Sequence, residues 1–279
     1  MSKIKGIILA LLASIHLGWA QQSFSLKSAE DQTPITYASI SSEHTLLTTS
    51  DSLGKFTIQQ EDLHLPITIK ALGYKTLDSF SLDTRSPIIF LEAQPVTLDE
   101  VVLRQQKKEH TYKVGKVKNG DIGIVCRLQN NTIAQVAKVI KNEFNQATWI
   151  DQVKFKTLCT ANHRIISMLL YAVNEQGQPG RILHTEKIIA QLKKGHHTYE
   201  IDLKHVQIPF PENGVFVALD YLFLEQNKAY SKTNPNWYHY EPSIDATSVD
   251  HYTDSWYKLK QHWQKSETYS LNMQLILSD

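Results

Sequence analysis

The chain has no surplus of charge of one sign: 29 Lys and Arg stand against 28 Asp and Glu, for a net charge of +1. That balance sets up no broad field to draw in nucleic acid, so no nucleic-acid partner is expected. Cysteine is scarce, at 2 in 279 residues, and no cluster suits zinc. The patterns G-x-S-x-G, H-E-x-x-H and G-x-G-x-x-G are all missing. With them go the usual nucleophile elbow, metalloprotease helix and dinucleotide loop. Gly115 and Gly120 have P-loop spacing, but Asp121 follows where lysine is needed to cradle phosphate. No cofactor and no metal is therefore expected. Beyond the N-terminus no apolar run reaches the ~20 residues of a spanning helix, so no transmembrane segment is expected in the mature chain. A chain this long buries a core without needing disulfides or metals to fold.

What is present starts with an export signal. Lys3 and Lys5 precede an apolar stretch, Gly6 to Leu17, broken only by Ser14 and His16. Gly18 and Ala20 then place small residues at −3 and −1 of a cut before Gln21. This is the layout of a secretory signal peptide over residues 1–20. No cysteine follows the cut, so a lipoprotein anchor is not expected. In an oxidising compartment a disulfide between Cys126 and Cys159 is allowed. Each alternates with apolar residues, Cys126 with Ile122, Ile124 and Leu128, and Cys159 with Val153 and Phe155. Both thiols are expected to face inward, and the sequence leaves open whether they are bonded or simply buried.

Short alternating segments dominate the mature chain, which reads as all-β. In its first third the expected strands are Ser23–Lys27, Thr36–Ser41, Lys55–Gln59, Ile67–Ala71, Ile88–Leu91 and Glu100–Arg104. Asp51-Ser52-Leu53-Gly54 is a turn in which Gly54 takes positive φ. A single Asp-x-x-Gly lacks the oxygens of a calcium site, so Asp51 is assigned to the turn.

These segments carry a pattern. Pro34, Ala38 and Ile40, then Thr49-Ser50-Asp51-Ser52-Leu53-Gly54-Lys55-Phe56, then Leu72-Gly73-Tyr74-Lys75, then Phe90-Leu91-Glu92 with Leu98-Asp99-Glu100-Val101-Val102 follow in order. In that order they resemble a carboxypeptidase regulatory-like domain over residues 23–104, within a first domain spanning 21–104. The Thr-to-Asp spacing is one residue longer than the family pattern. The resemblance implies a seven-stranded sandwich of prealbumin-like or Ig-like form with no catalytic residues of its own. It also implies a Gram-negative envelope setting, in the periplasm or at the outer membrane or cell surface. Such modules often open large outer-membrane transporters. Nothing after residue 104 is long enough for a plug and barrel, so that function does not carry over.

Residues 105–111 read as a solvated polar linker. From 112 to 279 about eight strands are expected: Tyr112–Lys118, Gly123–Leu128, Thr132–Ile140, Ile150–Leu158, Arg164–Val173, Thr198–Leu203, Gly214–Leu224 and Thr268–Leu277. Their spacing suggests a larger, jelly-roll-like β-sandwich. Ile165–Val173 and Val215–Leu224 are nearly all apolar, as in strands buried on both faces.

Three features invite a chemical reading. His196-His197 sits where neighbours point to opposite faces, so the pair cannot easily share a metal. Asp220 lies inside an apolar strand and must be paired or shifted in pKa. It is read as a structural carboxylate holding a loop or an arginine, with a general acid as the alternative. Residues 230–263 hold three of the five tryptophans and no sustained period. They read as a long aromatic loop, with Trp237, Tyr238, Tyr240, Trp256, Tyr257 and Trp263 as candidate ligand contacts. Packing over the sandwich edge is the alternative. The expected function is non-catalytic binding of a glycan, a peptide or an envelope protein through the second sandwich. A glycan hydrolase would need two carboxylates at a set separation, drawn from Asp220, Glu225, Asp245, Asp250 and Asp254. A structural role in envelope assembly is the third class.

Overall fold

The computed structural model describes residues 21–43, 45–94, 110–126, 133–144, 148–234 and 236–279. The chain divides into two compact units: residues up to Ala93 form the first, apart from Leu46 and Leu72–Tyr74 with their immediate neighbours, which group with Gln94–Asp279 in the second. The expected signal peptide, the strand Glu100–Arg104 and linker residues 105–109 lie outside the described residues.

The first unit is built from β1 (Gln21–Ser28), β2 (Ser39–Ser42), β3 (Thr45–Thr49), β4 (Lys55–Gln59), β5 (Ile67–Lys70), β6 (Leu77–Phe80) and β7 (Ile88–Leu91). They form a three-stranded sheet, β4-β1-β7, and a four-stranded sheet, β3-β2-β5-β6. Alternation drives the burial. Phe24 and Leu26 on β1, Phe56 and Ile58 on β4, and Ile67 and Ile69 on β5 are all buried. Phe24 and Phe56, opposite each other in register, stack with centroids 5.4 Å apart. The turn at Asp51 is held by its own carboxylate, whose Oδ1 accepts from the Leu53 and Lys55 amides at 2.8 Å. Gly54 takes φ +72°, and a Cβ there would stand 2.7 Å from the Leu26 carbonyl oxygen. Only glycine fits on both counts. Strands β3 and β6 were not expected from sequence. Thr45–Thr49 does not alternate, and β6 buries neither of its middle residues, Asp78 and Ser79.

The second unit comprises β8 (Thr111–Gly115), β9 (Ile122–Cys126), β10 (Ile133–Ile140), β11 (Trp149–Cys159), β12 (Arg164–Val173), β13 (Pro179–Ile182), β14 (Ile188–Leu192), β15 (Gly195–Asp202), β16 (Ile208–Pro209), β17 (Val215–Tyr221), β18 (Lys228–Tyr230), β19 (Tyr238–Ser248), β20 (Ser255–Leu259), β21 (His262–Lys265), β22 (Tyr269–Leu271) and β23 (Met273–Ser278). A seven-stranded sheet runs β13-β12-β17-β10-β20-β21, with β14 beside β12. A nine-stranded sheet runs β18-β19-β11-β23-β8, with β9, β15, β16 and β22 attached to β19 and β11. Successive long strands alternate between the sheets, so the fold is a β-sandwich with more strands than the eight expected. Val136, Met168, Leu170, Val217 and Leu219 from one sheet and Val153, Phe155, Leu275 and Leu277 from the other share one core. Each fully buried side chain of this size contributes about 1.5–3 kcal/mol.

Arg164 on β12 ties the sheets together. Its Nε donates to Glu241 Oε2 on β19 at 2.6 Å, and Nη2 donates to the Lys228 carbonyl at 2.9 Å. Nη1 donates to the Gln226 carbonyl. Glu241 is 2 % exposed, and its other oxygen accepts the Thr160 amide.

Cys126 and Cys159 are both buried, as the alternation implies, and of the two alternatives left open they are free thiols rather than a disulfide. Ile244 on β19 pairs with Ile124 of β9 on one side and Thr157 of β11 on the other. The cysteines therefore flank β19, two strand spacings or ~10 Å apart, which exceeds the ~7 Å limit for a bridge. One expectation is corrected, that of residues 230–263. Most of them are not loop but strand, in β19, β20 and β21. The pattern is hidden because β19 alternates with buried polar groups: Glu241 and Asp245 are buried along with Tyr240 and Ile244.

Candidate functional site

The seven-stranded sheet has two apolar faces, and only one lies inside the sandwich. On β17, Val215, Val217, Leu219 and Tyr221 enter the shared core. The residues between them turn outward, where Phe216 and Ala218 join Ala137 and Tyr171 in a second buried cluster. Val139, Leu169, Val173, Ile182, Trp256 and Trp263 pack against it. The expectation that these strands are buried on both faces holds, and the cover on the outer face is aromatic.

The tryptophans come from the β20–β21 hairpin. Its connection is two residues, Lys260 and Gln261, both at positive φ (46° and 69°), between paired Leu259 and His262. Two positive φ values define the primed turn whose twist matches paired strands. This register puts Trp256, Lys258, Trp263 and Lys265 on one face. Ala137 stands beside Trp256 and Ala218 beside Ala137, so small side chains leave room for the indole. Trp256 meets Phe216 edge-on at 5.7 Å, and Trp263 meets Tyr171 edge-on at 5.9 Å. Such pairs add about 0.5–1.5 kcal/mol each beyond area burial. The indole Nε1 of Trp256 is buried with no acceptor among the described residues.

A polar row crosses this apolar face. Trp263, Lys258, Gln135, Asp220 and Ser167 lie in register on β21, β20, β10, β17 and β12. Tyr171 donates from its hydroxyl to Gln135 Oε1 at 3.1 Å, and Gln135 in turn hydrogen-bonds Asp220. Burial raises the Asp220 carboxyl to about 6, against the opposing pull of the Gln135 hydrogen bond and the Lys258 charge. Burial and the Asp220 charge together push the Tyr171 hydroxyl up. Lys258 Nζ sits 5.7 Å from the Trp263 ring centroid. Gln135, Tyr171 and Ser167 are buried, whereas Asp220, Trp256, Lys258 and Trp263 are half-buried.

The six aromatics singled out from sequence separate in space. Trp256 and Trp263 are on this face. Tyr257, next to Trp256, points the other way, packs on the shared core and donates to Gln264 Oε1. Tyr240 is 3 % exposed and stacks on Phe223 at 4.3 Å, so it is core rather than ligand contact. Tyr238 and Tyr230 lie 5.5 Å apart at the β18–β19 edge, with Lys228 Nζ 4.6 Å from the Tyr238 ring. Trp237 is exposed at the turn before β19. Strand alternation explains the scatter: adjacent aromatics in a strand must face opposite sides.

Among the described residues the groups that act on the Asp220 carboxyl are Gln135, by a hydrogen bond, and Lys258, by its charge. Sequence reasoning missed Tyr171, Gln135, Ser167 and Lys258. The available signal was the unbroken apolar run of β12 and β17, which already implied a second apolar face. The five acids considered for hydrolysis have separate partners. Glu225 binds Lys228 and Tyr230, Asp250 binds His251, and Asp254 binds Lys138. Asp245 accepts from Gly120 and Asn272 and faces His196 at 3.0 Å. His196 and His197 face opposite ways, the latter toward the Lys194 carbonyl.

No protein-family model and no curated protein matches the chain. Among solved structures it is similar to the cysteine protease and lectin-like domains of Cwp84, a surface layer associated protein of Clostridium difficile. That match has 10 % identity and a TM-score of 0.36, covering 53 % of this chain and 32 % of the other. A clostridial Cwp84 after propeptide cleavage gives 12 % identity and a TM-score of 0.41 over 60 % of this chain and 40 % of that one. Infectious bursal disease virus, Gx strain, gives 9 % identity and 0.27 over 92 % and 52 %. The chain spans less than two thirds of each. Likeness at this level transfers neither a site nor a function.

Proposed function

We propose that this is a non-catalytic, exported binding protein whose second sandwich holds a saccharide on the outer face of its seven-stranded sheet. The observation that carries the reading is the half-buried part of the polar row set among aromatic rings: Lys258 and Asp220 beside Trp256 and Trp263, with Gln135 and Tyr171 buried beneath. A sugar ring has an apolar face to lie on an indole and hydroxyls around its edge to exchange hydrogen bonds. Asp220 supports the reading in a second way. A carboxyl that the fold holds with a raised pKa costs stability, and such groups concentrate at working sites. The first unit is proposed to be a carboxypeptidase regulatory-like mounting module, and the setting a Gram-negative envelope.

Calorimetric titration with a panel of soluble polysaccharides tests this. Trp263→Ala is expected to weaken binding at least tenfold while the chain stays folded. Unchanged affinity would move the site elsewhere, and release of reducing ends by the wild type would replace binding with hydrolysis.

A further inference from the structure

The hairpin that supplies the tryptophans also supplies cations. Ser255 to Lys265 contains Lys258, Lys260 and Lys265 and no acid. Trp256 pairs with Lys265 and Lys258 pairs with Trp263, so on one face two indoles lie on one diagonal and two ammonium groups on the other. Diagonal neighbours are ~7–8 Å apart, within reach of long side chains. The strand β21 ends the sheet, which leaves Lys265 exposed at its margin.

Among the strand residues that share this face, the acid is Asp220, on β17. Three strand spacings, roughly 14 Å, separate β17 from β21. That exceeds the ~10 Å screening length at 0.1 M salt, so Asp220 does not neutralise Lys265. Lys265 makes no ion pair among the described residues. A neutral sugar would gain nothing from a cation held here. A carboxylate carried on a sugar ring that lies on Trp263 would meet the Lys265 ammonium, two residues along the same strand.

Building on the saccharide reading, we propose that the ligand of this face is a carboxylated glycan, with Trp263 as the stacking surface and Lys265 as the carboxylate partner. The full-length protein is titrated with polygalacturonate and hyaluronate, with the methyl ester of each, and with single-stranded DNA. The polyuronates are expected to bind at least tenfold more tightly than their esters at 50 mM salt, with the gap closing by 0.5 M. The variant Lys265→Gln should bring the acid down to the ester's affinity and leave the ester unchanged. Trp263→Ala should weaken both. Esters binding as tightly as acids would overturn the charge assignment and leave the saccharide reading standing. Binding of neither form would sink the saccharide reading itself. Tighter binding of DNA than of any polyuronate would overturn the choice of ligand.

Discussion

On the nine-stranded sheet the outward side chains of β11 and β15 include Lys154, Lys156, Thr198 and Glu200, with Lys154 and Glu200 paired at 2.5 Å. On the seven-stranded sheet the outward side chains include Phe216, Ala218, Leu169, Tyr171, Trp256 and Trp263. The two sheets share one core, so the core does not demand this difference. A solvated outer face needs only charge, as on the first sheet. The apolar outer face carries the aromatic side chains of its own edge hairpin and is crossed by one polar row.

The comparison can be tested by separating what both sheets need from what one face needs. The largest effect is expected where the sheets are joined. Glu241→Ala strands the buried Arg164 and should lower unfolding free energy by about 3–5 kcal/mol in urea denaturation. Retention of full stability would show that the sheets do not depend on this tie.

Asp220→Asn should act in the opposite direction. The folded carboxyl, at about 6 against an ordinary 3.8, holds its proton more tightly than the unfolded chain does. Its burden is therefore absent below the unfolded value and grows as pH rises from there through 6. The difference corresponds to about 3 kcal/mol, and part-exposure reduces it to about 2. The variant should be more stable than wild type at pH 7.5, and the gain should shrink toward pH 4. A loss of stability at pH 7.5 would return Asp220 to a structural role.

The hairpin turn comes next. Lys260 and Gln261 adopt a conformation that Asn-Gly takes at lower cost. Replacing them with Asn and Gly should raise thermal stability by about 1 kcal/mol and leave ligand affinity unchanged. The smallest effect belongs to the charged face. Lys154→Ala should cost under about 0.5 kcal/mol, because an exposed pair contributes little. It should not alter binding, and a binding defect there would move the site to the wrong sheet.

Much of the fold was legible in the residues. Lys55–Gln59, Ile88–Leu91 and Arg164–Val173 were readable to the residue because alternation or unbroken apolarity marks them. Strand β19 was not, because Glu241 and Asp245 are buried against partners distant in sequence, Arg164 and Asn272. Buried polar residues look like loop until their partners are known. The candidate site was half legible. The richness in tryptophan pointed to the right stretch of chain, but the expectation of one loop placed six aromatics together that the strands then sorted onto different faces.

By itself, then, the sequence determined an all-β chain and the inward turn of both cysteines, because these depend on local periodicity. Tertiary structure alone decided that Cys126 and Cys159 stand on opposite sides of β19. It alone decided that Gln135, Asp220, Ser167 and Lys258 form one row with Trp263. Residues on five strands become neighbours only through register, and register is set by the packing of the whole sheet rather than by any segment of it.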